Sequence, residues 1–348
     1  MTVYHFWGSV KVPAQRFCHR QGGHCQVPFD PSLDGSGWTP AALRLLMKLA
    51  SSAAFEEGLE RLREFGLLAP ISRAGLERLT RPYAEACREE VRERLEAQTF
   101  APLAEGSGRR WVLEVDGVCV LGRAADGRCE GIEVKTAVLY PYYRPSERYL
   151  LAEACEASSF LPLAAGLLRA AGVRQQDELI GVSDGALWIE RLFESVGVTA
   201  QVIDVYHATD YLEEVMAALG WDEAQRTGER RRWCRGEVNA AAWLEAHLPE
   251  PERWLAWPAE ALVALRYLAA RQERMAYCDY RAREWPIGSG QVEGMNKSVI
   301  GKRLKQSGMQ WSRTGASRMA SLRAQHRARR PLTEHHTLRR RAFPVPAV

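Results

Sequence analysis

The segment 111–205 constrains the fold more than any other part of this sequence. Its first twelve residues, Trp-Val-Leu-Glu-Val-Asp-Gly-Val-Cys-Val-Leu-Gly, predict a strand that ends near Asp116 and a second short strand after it. A turn at 125–127 separates them from a further strand over 131–140. Three consecutive strands joined by short connections predict an antiparallel meander.

Helical and strand patterns alternate after the meander. We expect a helix over 148–171, a buried strand over 178–183, a helix over 186–195 and a last strand over 200–205. Three strands, a helix, a strand, a helix and a strand are the element order of an α/β domain with a ribonuclease-H-like mixed sheet. Other α/β folds share part of that order.

The rest of the chain is mostly helical in pattern. Residues 208–284 predict an all-helical insertion whose tryptophans fill its core. The expected parts are 1–38, irregular and rich in turn formers; 39–100, a helical domain with a linker helix; 108–207, the α/β core; 208–284, the insertion; 285–330, a glycine-rich turn, a helix and a basic segment; and 331–348, a flexible tail.

The N-terminal helical domain has two interpretations. Thr39-Pro40 begins a first helix, a second follows over 54–65, and Ser72 caps a third. Three short helices can form a helix-turn-helix whose last helix offers Arg73, Arg78 and Arg81 to DNA. The alternative is a small packing domain. Pro82 is expected to start a separate charged helix that runs to about residue 98.

Cysteine usage and hydropathy exclude several classes of protein. Eight cysteines among 348 residues are too few for a disulfide scaffold, and no apolar run is long enough for a membrane span. The first 25 residues do not form a signal peptide, so we expect a protein of the reducing cytoplasm. Cys18 and Cys25 can supply half of a zinc site, but no second pair lies nearby in the sequence.

Charge is distributed very unevenly along the chain. Residues 297–341 hold 13 Lys and Arg side chains against one acid, Glu334, whereas the rest of the chain has 34 basic and 42 acidic residues. The formal net charge of +4 hides this contrast. An acidic body with a basic segment is typical of proteins that bind a polyanion.

Three acids stand at positions where side chains converge. Asp116 and Asp184 are expected at strand ends, and Glu293 at the start of a helix after a glycine turn. Carboxylates brought together repel unless hard divalent cations neutralise them. The combination predicts a site for two Mg²⁺ or Mn²⁺ ions that cleaves phosphodiester bonds, with isolated turn-forming acids as the alternative.

Residues 288–312, from Gly288-Ser-Gly-Gln-Val-Glu-Gly-Met-Asn-Lys onward, closely resemble the C-terminal hallmark of bacterial insertion-sequence transposases of the ISKra family. Three shorter stretches agree in order and context: Val115-Asp116-Gly117, Ser183-Asp184-Gly185-Ala186 with Trp188, and Ile203-Asp204-Val205-Tyr206-His207. The resemblance spans about residues 25–330. These transposases are DDE enzymes related to the Mutator-like superfamily, and their fuller N-terminal cysteine-pair module is represented here only by Cys18 and Cys25.

The resemblance implies roles for individual residues. Asp116, Asp184 and Glu293 are the implied catalytic, metal-binding acids, with Asp204 as the competing candidate for the second aspartate. If Asp184 holds the metal, Asp204 and His207 form an accessory motif. The residues then expected to contact DNA are Asn296, Lys297, Lys302, Arg303, Lys305 and Arg313.

The expected function is therefore Mg²⁺-dependent cleavage and strand transfer at the ends of an insertion sequence. The expected partners are double-stranded DNA, as terminal inverted repeats and target, and further copies of the chain in a homo-oligomer, with no membrane. Two alternatives remain open: a domesticated or truncated DNA-binding protein without catalysis, and a nuclease that cuts without joining.

Overall fold

The computed structural model describes residues 2–5, 8–11, 36–67, 71–106, 108–248, 250, 254 and 256–344. Cys18 and Cys25, and with them the zinc prediction, lie outside the described residues. The strands are β1 (Thr2–His5), β2 (Gly8–Lys11), β3 (Arg110–Arg123), β4 (Cys129–Pro141), β5 (Tyr149–Glu153), β6 (Glu178–Ser183) and β7 (Ala200–Ile203). Within residues 1–38, which were expected to be irregular, β1 and β2 pair as two antiparallel strands.

The other five strands form one mixed sheet in the order β5-β4-β3-β6-β7. Strand β4 is antiparallel to both β3 and β5, whereas β6 and β7 run parallel to β3 and to each other. An antiparallel three-stranded meander continued by two parallel strands through helical crossovers is the ribonuclease-H-like arrangement. The predicted fold class is confirmed.

Two predicted elements of this sheet are wrong in detail. The stretch after Asp116 does not turn, because β3 continues to Arg123 and pairs with β4 along its whole length. Asp116 therefore lies in the middle of a strand. The helix expected over 148–171 begins only at Ala157, because Tyr149–Glu153 pairs with β4 and this pairing outweighs the helix-compatible composition.

The helices flank the sheet in chain order. They are α1 (Pro40–Ser52), α2 (Phe55–Glu64), α3 (Arg73–Glu96), α4 (Ala157–Ala171), α5 (Leu187–Val196), α6 (Val205–Ala218), α7 (Glu223–Cys234), α8 (Ala240–His247), α9 (Ala259–Arg271), α10 (Tyr277–Ala282), α11 (Gly290–Met295), α12 (Lys302–Leu304), α13 (Arg313–Arg327) and α14 (His335–Ala342). A π-helical turn, Asn296–Gly301, joins α11 to α12. None of the helices in the described ranges is long and apolar enough to cross a membrane.

The N-terminal helices begin where their caps predict. Thr39 and Ser72 each accept a backbone N–H bond at the starts of α1 and α3. The separate helix predicted to start at Pro82 does not exist, because Pro82 lies inside α3. One missing N–H costs a single bond there, and the packing of α3 against α4, α13 and α14 keeps the helix continuous.

Both faces of the sheet are covered. One core places Val112, Val120 and Val134 against the insertion and the residues after it. The other packs Leu113 and Val115 against α4 and α5. Because side chains alternate along a strand, Asp116 lies on the first face, towards the insertion.

The C-terminal residues 331–348 were expected to be a flexible tail, and this is wrong for the part that the structure describes. Helix α14 packs on α3 with Leu338 buried, and Arg341 forms ion pairs with Glu89 and Glu93. Helix α14 therefore covers the apolar stripe of α3.

His326 on α13 makes stability depend on pH. It is half-buried beside Ser51, whose hydroxyl lies 2.9 Å from His326 Nδ1, and desolvation lowers the pKa of His326 to about 4. Unfolded histidine has a pKa near 6.5, so between these values only the unfolded chain takes up the proton. The free energy of unfolding should therefore fall as pH drops from 6.5 to 4, by about 3 kcal/mol from this residue.

Urea denaturation of His326→Gln between pH 7 and pH 4 checks this expectation. Gln keeps a polar atom beside Ser51 but cannot gain a charge, so the variant should lose less stability on acidification than the wild type. The exposed His336→Gln is the matched control and should follow the wild type. Equal pH dependence in all three proteins would contradict the assignment.

Candidate functional site

Asp116 is the centre of the candidate site. Its carboxylate is half-buried and accepts the Gly117 N–H at 2.7 Å and the Asn296 side-chain amide at 2.6 Å. Burial raises the pKa of Asp116, and the charge of Asp184 raises it further. The structure thus holds a carboxylate in a place where a nearby cation would stabilise its ionised form.

Asp184 lies beside Asp116 because of the register of β3 and β6. Glu114 is paired with Val182, so two residues further along the parallel strands Asp116 and Asp184 are at the same level. Asp184 Oδ1 accepts the Ala186 N–H at 2.9 Å, and no hydrogen bond reaches its Oδ2 from the described residues. The structure therefore places the two predicted aspartates close together, and Oδ2 of Asp184 accepts no hydrogen bond from the described residues.

Asp204, the competing second aspartate, differs from Asp116 and Asp184 in being almost fully buried and in accepting three hydrogen bonds. It is buried, its Oδ1 accepts the His207 N–H at 2.8 Å, and its Oδ2 accepts the Ser289 N–H at 2.6 Å and hydroxyl at 2.8 Å. Asp204 therefore caps α6 and fixes the glycine-rich turn before Glu293. Of the two candidates, Asp184 is therefore the one whose carboxylate is partly exposed and has an oxygen that accepts no hydrogen bond from the described residues.

Glu114 is a structural carboxylate that the sequence interpretation missed. It lies on the same face of β3 as Asp116, is almost fully buried, and accepts the Tyr140 hydroxyl at 2.6 Å and the Val292 N–H at 2.8 Å. Burial raises the pKa of Glu114 to about 7. The sequence did contain a signal for Glu114, because an acid on the apolar face of a buried strand requires a specific partner.

The helix that carries Glu293 is therefore anchored by two buried acids, Asp204 before it and Glu114 at its first turn. Asn296 lies one turn after Glu293, about 5 Å along the axis, and contacts Asp116 directly. Its Oδ1 is buried and accepts no hydrogen bond from the described residues. An amide oxygen of this kind is a ligand that a hard cation takes.

Glu293 itself is not turned towards the two aspartates. Its carboxylate is 44% exposed and pairs with Lys297 Nζ at 3.2 Å. Within the described part of the chain, no group of three or more His, Cys, Asp or Glu side chains is placed to hold a metal ion. The structure therefore assembles the pair Asp116 and Asp184, while the contribution of Glu293 remains a prediction.

His207 borders the same site from α6. Its ring packs edge-on against Tyr211 and Tyr267, with centroid distances of 5.4 and 5.9 Å, and its charge when protonated lowers the pKa of Asp116. The two predicted accessory residues, Asp204 and His207, thus have different roles. His207 faces the site, whereas Asp204 holds the backbone around it.

The π-helical turn after α11 is supported from α13. Arg323 is buried, donates to the Ser298 and Val299 carbonyls, and its pKa is lowered to about 10 by burial. A π turn leaves carbonyls without their usual α-helical partners, and the guanidinium satisfies them. An arginine of the basic segment is therefore a structural part of the site.

The residues predicted to contact DNA divide into three groups. Lys302 and Lys305 are exposed, and no ion pair involves them among the residues that the structure covers. Lys297 and Arg313 are exposed but paired with Glu293 and Glu156. For the last two members the structure contradicts the prediction: Asn296 is buried against Asp116, and Arg303 is 2% exposed.

Arg303 is a core residue despite its charge. Its Nε donates to the Ala50 carbonyl at 3.2 Å, and its guanidinium lies 5.1 Å from the ring centroids of both Phe55 and Trp311. Burial lowers the pKa of Arg303 to about 10. It therefore joins the N-terminal helices to the loop after α12 and is not available to DNA.

Much of the basic charge of segment 297–341 is likewise used inside the molecule. The segment lies against acidic residues from the N-terminal half of the chain rather than projecting as a separate tail. Its ion pairs include Arg318 with Glu85, Arg330 with Glu147, and Arg341 with Glu89 and Glu93. Part of the charge contrast along the sequence therefore arises because the basic segment forms ion pairs with acidic residues of the same folded chain.

Comparisons with known proteins identify no family. The chain matches no protein-family model and no curated protein. Two solved structures are similar over 69% of this chain: a pre-cleavage Mos1 transpososome, 78% covered, and the Mos1 strand transfer complex, 77% covered. Each has 12% sequence identity and a TM-score of 0.18, which is too low to bear on fold or function.

Proposed function

We propose that this protein is a metal-dependent enzyme that cleaves and joins DNA phosphodiester bonds, a transposase of the DDE type. The observation that carries the proposal is the pair Asp116, on β3, and Asp184, directly after the neighbouring parallel strand β6 of a ribonuclease-H-like sheet. The Asn296 amide that bonds to Asp116 adds a buried oxygen with no hydrogen-bond partner among the described residues. The resemblance of residues 288–312 to insertion-sequence transposases supports strand transfer as the second step.

The donors present suit a hard divalent cation. Asp116 and Asp184 would supply carboxylate oxygens and Asn296 an amide oxygen. Burial raises the pKa of Asp116, so a cation bound nearby would favour its ionised form. Bound Mg²⁺ or Mn²⁺ supplies charge neutralisation at the scissile phosphate and acidifies the attacking water. Glu293, one turn before Asn296, is the third acid that we assign to the site.

The side chains around this pair orient it and bind the substrate. Asn296 fixes one carboxylate oxygen of Asp116 through its amide, and His207 lies where it can donate to a substrate phosphate when protonated. When DNA binds, Lys297 leaves its ion pair with Glu293 and contacts a phosphate instead. The Glu293 carboxylate is then free to join the two aspartates. Lys302 and Lys305 extend the DNA contact along the same segment.

A second function is favoured by one feature of the geometry. Glu293 is engaged by Lys297, and the described residues hold no ready three-ligand metal group. A transposase-derived protein that binds DNA without cutting it fits that arrangement. It predicts salt-sensitive DNA binding that is independent of divalent metal.

The test is an assay of strand cleavage and joining on DNA that carries the ends flanking the gene, with Mg²⁺, with Mn²⁺ and with EDTA. The proposal expects nicked and joined products with either metal and none with EDTA. Products that are cut but never joined would indicate a nuclease. Salt-sensitive binding with no cleavage in either metal would contradict the enzyme and support the DNA-binding alternative.

A further inference from the structure

We propose that Tyr267 and Arg271, both on helix α9 of the insertion, are positioning residues for Asp184, so that the insertion forms part of the candidate site. This inference rests on the proposed function, because it assigns Asp184 the role of metal ligand. The insertion then helps to position a residue of the site as well as packing against the sheet.

The evidence begins with the backbone at the end of β6. Where a strand ends, its last carbonyls lose the partners that the sheet supplied and need other donors. The Tyr267 hydroxyl donates to the Asp184 carbonyl at 2.5 Å, and Arg271 donates to the Gly185 carbonyl through Nε at 3.1 Å and Nη2 at 2.9 Å. Three bonds from one helix thus hold the turn that carries the carboxylate.

Arg271 approaches the turn closely at Gly185. Gly185 has a positive φ of 80°, and a Cβ at this position would lie 2.7 Å from Arg271 Nε. Arg271 is itself fixed, since Glu190 lies 3.2 Å from its Nε and the Tyr267 ring centroid lies 4.5 Å from its guanidinium carbon. The glycine therefore serves both the left-handed turn and the close approach of the guanidinium.

The same insertion also reaches the neighbouring strand and the rest of the site. Tyr277 donates to the Ile203 carbonyl at 3.1 Å, at the end of β7 directly before Asp204. Tyr267 meets the His207 ring as well as the Asp184 carbonyl. Displacing α9 from the sheet would break contacts at Asp184 and His207 together, so the geometry of the metal site depends on how the insertion is docked.

Titration of the full-length chain with Mn²⁺, followed by electron paramagnetic resonance, tests this inference. Tyr267→Phe removes only the hydroxyl and leaves the ring in place. Because partners behind a metal ligand typically contribute 10- to 100-fold to affinity, we expect Mn²⁺ to bind about 10-fold more weakly. Amide hydrogen exchange should become faster at residues 185–187 in the absence of metal.

Tyr280→Phe is the matched control. Tyr280 lies in the same insertion and donates the same kind of bond, at 3.1 Å, to the Glu273 carbonyl rather than to a strand end. This variant should keep Mn²⁺ affinity within about twofold of the wild type and leave exchange at 185–187 unchanged, whatever its effect on thermal stability. A general loss of stability would affect the two variants alike.

The outcomes separate the inference from the function on which it rests. A wild-type chain that binds no Mn²⁺ contradicts the proposed metal site and the positioning role with it. Wild-type binding that Tyr267→Phe leaves unchanged overturns the positioning role alone, even if exchange at the turn becomes faster. In the Asp184→Asn background, where the ligand is gone, Tyr267→Phe should change Mn²⁺ binding no further.

Discussion

Replacing Asp184 by Asn is expected to abolish metal-dependent cleavage and to leave the fold intact. Asn keeps an oxygen for the Ala186 N–H but removes the negative charge that we assign to the metal. Loss of several kcal/mol of charge stabilisation at the reacting phosphate corresponds to a decrease of about 10³-fold in rate. Asp116→Asn should have an effect of the same size, because the two carboxylates act as a pair.

Single-turnover cleavage of end-bearing DNA in Mg²⁺ measures this effect, with urea denaturation as the check on folding. Asp126→Asn is the matched control, since Asp126 lies in the exposed turn between β3 and β4, where it pairs with Arg128. It should cleave at the wild-type rate. Cleavage by Asp184→Asn within tenfold of the wild type would remove Asp184 from the mechanism.

Replacing Asp204 by Ala is expected to lower the free energy of unfolding by roughly 3–5 kcal/mol. The change leaves three donors without an acceptor: the partly buried His207 N–H and the buried N–H and hydroxyl of Ser289. The bond from the His207 N–H is the N-cap of α6. The turn that leads into the Glu293 helix should lose its attachment to the sheet.

Equilibrium urea denaturation measures this loss. Asp210→Ala on the same helix is the control, because its ion pair with Arg230 is largely exposed and should contribute less than about 1 kcal/mol. A stable Asp204→Ala protein that has lost only metal binding would show that the two aspartates have been assigned the wrong way round.

Part of the order of strands and helices was predictable because local hydrophobic periodicity indicates it. The strand over 178–183 and the helix starts at Pro40 and Arg73 are confirmed, since caps and apolar patterns act over a few residues. The continuity of β3 through Asp116 and Gly117 was not predictable in the same way. An Asp-Gly pair indicates a turn locally, and only the partner strand β4 overrides it.

The charge pattern was the most misleading feature. The basic segment 297–341 indicated a DNA-binding surface, yet Arg303 and Arg323 are buried and Arg318 and Arg341 pair with acids on α3. A sequence shows how many charges a segment carries but not which of them meet an opposite charge elsewhere in the fold. That information lies in the tertiary structure.

The candidate site was predictable as a set of residue types but not as an arrangement. Asp116 and Asp184 were expected together and lie together. The choice between Asp184 and Asp204 required the hydrogen bonds that Asp204 accepts, and the role of Glu114 required its contact with the start of α11. Such contacts join residues that are far apart in the sequence, so they produce no periodic pattern from which they could be predicted.

A crystal soaked in Mn²⁺ and measured for anomalous scattering tests the central claim most directly. The account predicts an anomalous peak between the carboxylates of Asp116 and Asp184 that is absent in Asp184→Asn crystals, with Asp204 still bonded to Ser289. No peak at this pair, or a peak coordinated by Asp204 in place of Asp184, would contradict it.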